Sequence, residues 1–278
     1  MGKTTGERMK KDNRIRIIAL SVLTIAAYIP TFIWMIERWS VKDTYYSHGF
    51  LVPLISGFIV WLKREKLSRI EIKPSPAGWM LFISGITIHI ISALLRVYFT
   101  SGFSLLLVLS GIVLLFFGKE YLKELLFPIL FLVSMLPLPL VATADISFQL
   151  KTFAAQVSTI IINRLGIPAI REGSIIKTMH SYMMVEDICS GIRSLVALIS
   201  LGALMAYFSG ISKPKKAVLF LSSIPIAVST NVIRIVSLTL ASEMYGAQFA
   251  TGWFHDTMGV LVFVFAFLGL SLVWKMME

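Results

Sequence analysis

The chain holds a single cysteine, Cys189, among 278 residues, and only 15% of its residues are charged. One thiol excludes an intramolecular disulfide and any cysteine-built zinc site, because both need partners. Charge this sparse, with 56% apolar residues and a mean hydropathy of +0.82, excludes a soluble domain of this length. Also missing are HExxH, GxSxG, a Walker A loop and a glycine-rich dinucleotide fingerprint, so no metal, nucleotide or dinucleotide cofactor is expected. No Asp or Glu lies inside the long apolar runs, which removes the paired carboxylates of a proton-driven pump.

What is present is a series of apolar runs, each near the length that crosses ~30 Å of hydrocarbon at ~1.5 Å per residue. They are continuous rather than alternating, which points to helices and not to barrel strands. The expected spans are 17–36, 49–62, 77–95, 99–118, 125–143, 190–209, 217–242 and 257–274, eight in all. The first is too long and too aromatic for a signal-peptide core and reads as a retained span. The expected fold is therefore an all-α polytopic membrane protein, a single domain over residues 1–278 with no repeat.

Lys and Arg set the orientation. Lys3, Arg8, Lys10, Lys11, Arg14 and Arg16 crowd the amino terminus, and the loops on that side with the carboxyl end bring the total to seventeen; the opposite loops hold seven. Both termini are thus expected in the cytoplasm. This bias accounts for the net charge of +11 without nucleic acid; the partner it implies is the lipid bilayer. Between spans five and six, 144–189 is expected outside. There Phe148, Leu150, Phe153, Val157 and Ile161 are spaced as an amphipathic helix lying on the membrane, followed by a small β-hairpin around Gly173.

In this arrangement polar residues from three helices reach one level. Cys189 stands at the outer mouth of span six, His255 at that of span eight, and Arg234 lies within span seven. Arginine in hydrocarbon costs at least ~2.5 kcal/mol and normally marks a function. Counted from Lys216, Arg234 stands near the outer boundary; counted back from Glu243 it lies about 14 Å deep. Asn231 shares its face, as Arg193 shares the face of Cys189. Nucleophilic cysteines need positive charge or a helix amino terminus to ionise below ~8.5. "CSGIRS" supplies both, with Ser190 a candidate cap. His255 can move the thiol proton and Arg234 can hold an oxyanion. His48 in "YYSHGFLVP" competes as the base. Asp187 beside the thiol and Asp256 beside His255 are supporting candidates, Asp256 alternatively capping span eight. His89 and His180 read as structural.

"DICSGIRSL", "NVIRI" and "WFHDTMG", with "YSHGFLVP" upstream, resemble the exosortase/archaeosortase family in order, spacing and membrane setting, over nearly the whole chain. The resemblance implies a membrane cysteine peptidase or transpeptidase with Cys189, Arg234 and His255 as its catalytic set. Its substrates would be exported proteins with a carboxyl-terminal sorting signal: a short Pro-Glu-Pro-like motif, a transmembrane helix and a basic tail. A thioester on Cys189 would pass to water or to an amine acceptor, on lipid or saccharide. His255 points to the exosortase branch and to a bacterial cytoplasmic membrane. The alternative is a non-enzymatic component of exopolysaccharide or lipid-linked saccharide export, with Arg193 and Arg234 holding an anionic headgroup.

Overall fold

The computed structural model describes residues 2–41, 44–185 and 191–278, with side chains from residue 15 onward except Thr251. Cys189, Ser190 and Asp187 lie outside the described residues. The described backbone is helical apart from one small sheet, and it forms two compact units, Met1–Pro137 and Leu138–Glu278.

The first unit holds α1 (Gly2–Ser40), α2 (Leu51–Leu62) behind a 3-10 turn (Ser47–Phe50), α3 (Arg64–Ser68), α4 (Gly78–Leu94), α5 (Tyr98–Phe116) and α6 (Lys119–Phe131). Its interior is tied by hydroxyls and one imidazole. Tyr28 bonds Ser104 at 2.7 Å, Thr31 bonds Ser101 at 2.6 Å, and His89 bonds the Ser101 hydroxyl at 2.9 Å and the Ala27 carbonyl at 3.1 Å. A carbonyl only accepts, so His89 carries its proton on Nε2 and accepts from Ser101 at Nδ1. This joins α1, α4 and α5 where no water is at hand, and gives His89 the structural role expected of it.

The expected fifth span is not one helix. After α6 the chain tightens into a 3-10 turn (Leu132–Met135) and stops at "LPLP", with Leu136 and Pro139 both extended. Proline bars its predecessor from the helical region, and two prolines two apart close off continuation. The carbonyls released there are met by side chains: Trp39 Nε1 donates to the Met135 carbonyl at 2.9 Å, and His48 Nε2 pairs with the Ser134 carbonyl at 3.2 Å.

The second unit holds α7 (Leu140–Arg164), β1 (Ile170–Glu172), β2 (Ile175–Lys177), β3 (Tyr182–Met184), α8 (Ile192–Phe208), α9 (Lys213–Tyr245), α10 (Ala247–Thr251) and α11 (Trp253–Met277). The expected surface-lying amphipathic segment is part of α7, and α7 packs along α9. Leu150 and Ala154 share a cavity of about 10 Å³ with Ala227, Val228 and Asn231, while Ala154, Ala155 and Ile162 share a core with Val232, Ile235 and Val236. The face that packs is the one carrying Ala154, Ala155 and Ile162; of the expected stripe, Val157 and Ile161 lean partly on this core while Phe148 and Phe153 stay exposed, at 59% and 51%. The expected hairpin is a three-stranded antiparallel meander, β1-β2-β3. Gly173 turns β1 into β2 with φ +62, and Ile176 and Val185 face the α9 core. A two-stranded ribbon is marginal alone; the third strand and α9 supply the missing packing.

Among the described residues four helices are long and apolar enough to cross a bilayer alone: Ile15–Ser40, Tyr98–Phe116, Lys213–Tyr245 and Trp253–Met277. Ser47–Leu62, Gly78–Leu94 and Ile192–Phe208 are apolar but shorter. The chain is a polytopic all-α membrane protein with a small β meander.

Candidate active site

α9 builds the centre of the site. Asn231 and Arg234 stand one turn apart on it, Asn231 only 3% exposed and Arg234 half-buried. The sequence leaves the level of Arg234 open between two helix counts. In the structure Arg234 Nη2 lies 3.1 Å from His255 Nε2 on α11. A β-carbon added at Gly259, one turn beyond His255, would stand 3.6 Å from the same Nη2. α11 thus presents to the guanidinium a histidine and, one turn on, a glycine at ordinary contact distance.

Protonation follows from donors and acceptors. A guanidinium only donates, so Nε2 accepts and the proton of a neutral His255 sits on Nδ1. Nδ1 is 3.6 Å from Asp256 Oδ1, whose side chain is 90% exposed. That distance is too long for a hydrogen bond and the carboxylate is solvated, so Asp256 orients His255 weakly at most. Nor does it cap α11, which begins at Trp253 with Gly252 in the capping position; Asp256 is in the first turn, where a negative charge suits the helix dipole. Arg234 Nε is buried and has no hydrogen-bond partner among the described residues. A buried cation with a donor to spare favours an anionic oxygen beside it.

α8 approaches α9 just below this pair. Its capping residue is Gly191, with φ 85 and ψ −3, so the candidate cap Ser190 is displaced by one position. Gly191 is required twice over. The left-handed φ disfavours any side chain, and a β-carbon here would lie 2.8 Å from Asn231 Cγ. Arg193 is the second residue of α8 and is half-buried. On the other side of the undescribed stretch, Val185 is 2% exposed within the core of Val232, Ile235 and Val236. Both chain ends that lead to Cys189 therefore rest on one length of α9, residues 231–236.

The meander is held to the far end of α9. The Glu243 carboxylate accepts from Thr178 Oγ1, from the His180 main-chain N–H at 3.2 Å and from His180 Nδ1 at 2.9 Å, while Ser181 and Ser242 exchange a 2.6 Å bond. Glu243 is 12% exposed and His180 75%. Sequence reading missed Glu243 and Gly191 as positioning residues. His48 belongs to the first unit and donates from Nε2 to the Ser134 carbonyl at 3.2 Å, which leaves Nδ1 as its basic nitrogen. Among the described residues no cluster of His, Cys, Asp or Glu could hold a metal ion.

A family model described as transmembrane exosortase matches residues 39–272. No curated protein and no solved structure matches the chain.

Proposed function

Because this chain belongs to the transmembrane exosortase family, a family of membrane transpeptidases in general, we propose that it cleaves a carboxyl-terminal sorting signal of exported proteins through a thioester on Cys189. The supporting observation is the Arg234–His255 contact on the stretch of α9 where both chain ends flanking Cys189 are packed. Cys189 is two residues from Gly191 and four from Val185 in sequence, so chain length permits the thiol to reach the pair.

The chemistry runs as acyl transfer. His255 takes the thiol proton, and the thiolate attacks the scissile carbonyl, forming the C–S bond. Arg234 turns a donor to the oxyanion, whose collapse breaks the C–N bond; His255 returns its proton to the leaving amine. The released piece carries the substrate's transmembrane helix and basic tail. A water or an amine acceptor then attacks the thioester, gives its proton to His255, and frees the thiolate. Arg193 adds positive charge near the helix amino terminus, which favours the thiolate. Eight crossings, cytoplasmic termini and an extracytoplasmic site in a bacterial cytoplasmic membrane complete the reading, with residues 1–278 acting as one domain.

The test is co-expression with a reporter that ends in a short motif, a transmembrane helix and a basic tail. Cys189→Ala and Cys189→Ser should leave the reporter intact while the enzyme still inserts, and mass analysis of the processed reporter should separate hydrolysis from transfer. Full processing by either variant would sink the proposal. Loss with Arg234 or Arg193 variants alone would favour a non-enzymatic export component.

A further inference from the structure

The meander ends in an open edge. β3 pairs with β2 alone, and among the described residues no strand lies on its other side. The phase of that edge follows from the ladder. Thr178 N–H donates to the Ser181 carbonyl at 2.9 Å and Val185 N–H to the Ser174 carbonyl at 3.0 Å, and in the register Ile176 faces Met183. Antiparallel pairs alternate, so residues 181, 183 and 185 spend their main-chain groups on β2. Tyr182 and Met184 turn theirs outward. Both residues are also exposed, at 55% and 50%.

Native sheets usually blunt an exposed edge with charge, proline or a covering element. β3 carries neither charge nor proline and reads Tyr-Met-Met. Its position is equally specific. The next residue, Val185, is buried against Val232, Ile235 and Val236, on either side of Arg234. A strand laid along β3 would therefore run toward the turn of α9 that carries the guanidinium. Glu243, Thr178 and His180 hold the opposite end of β3 to the top of α9, so the edge is fixed at both ends.

We infer that the β3 edge is the docking strand for the substrate: the extended segment just before the substrate's transmembrane helix adds as a fourth strand through the N–H and C=O groups of Tyr182 and Met184. Three residues of edge at ~3.3 Å each bind about three or four substrate residues, with main-chain bonds giving affinity and alternate side chains giving choice. This rests on the enzyme reading above. It adds where the motif binds and why a short motif suffices.

The test uses the full-length protein in membranes with the same reporter. A photo-cross-linking residue at position 182, in the Cys189→Ala background that retains substrate, should capture the reporter just ahead of its transmembrane helix. The same residue at position 170, on the opposite edge of the meander, should not. Met184→Pro removes an outward N–H, which an edge strand tolerates, and should process the reporter about tenfold more slowly than Met184→Ala, which keeps that N–H. No capture at 182, equal capture at 170, or equal rates for the two Met184 variants would each overturn the inference. If Met184→Pro fails to fold, the cross-link alone decides. Processing by Cys189→Ala would instead overturn the enzyme reading, whatever the cross-link gives.

Discussion

Arg234 and His255 stand 21 residues apart in sequence, on different helices, and meet at 3.1 Å. The guanidinium covers the Nε2 lone pair, the atom that a general base must use. With no substrate the two residues satisfy each other; in the reaction proposed above Arg234 has to leave Nε2 before His255 takes the thiol proton, and the oxyanion that follows gives the guanidinium a better acceptor than the imidazole.

Arg234→Lys should be a poor substitute, although it keeps the charge. An ammonium is a point donor and cannot serve His255 and an oxyanion in one plane as a guanidinium does. Reporter processing should fall about 10²–10³-fold, the usual loss for an oxyanion donor, with unchanged insertion. A variant within tenfold of the parent would contradict the oxyanion role.

Alkylation of Cys189 from the outside gives a second check. His255→Ala and Arg234→Gln should each slow labelling at neutral pH, because both remove support for the thiolate. Equal rates across the three proteins would mean that Cys189 does not feel the pair.

Gly191→Ala should destabilise the second unit by about 1–3 kcal/mol, combining left-handed strain with crowding against Asn231. Adding Asn231→Ala should recover only the crowding part. Thermal melting in detergent measures both; full recovery in the double variant would show that φ carries no penalty.

Glu243→Gln should loosen the meander without unfolding the helices. The amide keeps one oxygen where the carboxylate offered two, so amide exchange at residues 178–181 should rise about tenfold, matching a lost bond to a charged acceptor. Unchanged exchange would mean that the sheet holds its place through Ile176 and Val185 alone.

His89→Ala should lower the melting temperature while leaving Cys189 labelling as it was. Ser101 Oγ loses its acceptor and the Ala27 carbonyl its donor in one substitution, a cost of about 1–3 kcal/mol for each buried group. A stable His89→Ala protein would mean that the helices of the first unit do not need the imidazole.

The apolar runs revealed the helices because hydrocarbon selects for length and composition, both written in consecutive residues. Arg234 stands out for a related reason, because a charged group inside such a run is rare enough to signal itself, whereas His255 stands just outside the last run and is marked by its place at that run's mouth. The fifth span misled because hydropathy ignores main-chain geometry; "LPLP" is as apolar as its surroundings yet cannot be helical. α7 is legible in part: Phe148 and Phe153 stay exposed as its stripe implies, whereas the small-residue face of Ala154 and Ala155 that meets α9 carries no hydropathy signal of its own. The cap of α8 was one residue off because Ser190 satisfies a propensity, whereas Gly191 satisfies a φ and an approach that only the folded chain reveals. The close contacts at Asn231 and Glu243 are properties of pairs, and one sequence lists no pairs.

The polar seam of the first unit carries a further consequence. Each of its hydrogen-bond runs ends on a main-chain carbonyl, Ser101 O on one side and Ala27 O on the other. A carbonyl has no proton to hand on, so a proton entering the seam finds no exit. Such a seam is an insulator rather than a wire: it gives the helices polar cohesion without discharging the gradient across the membrane they occupy.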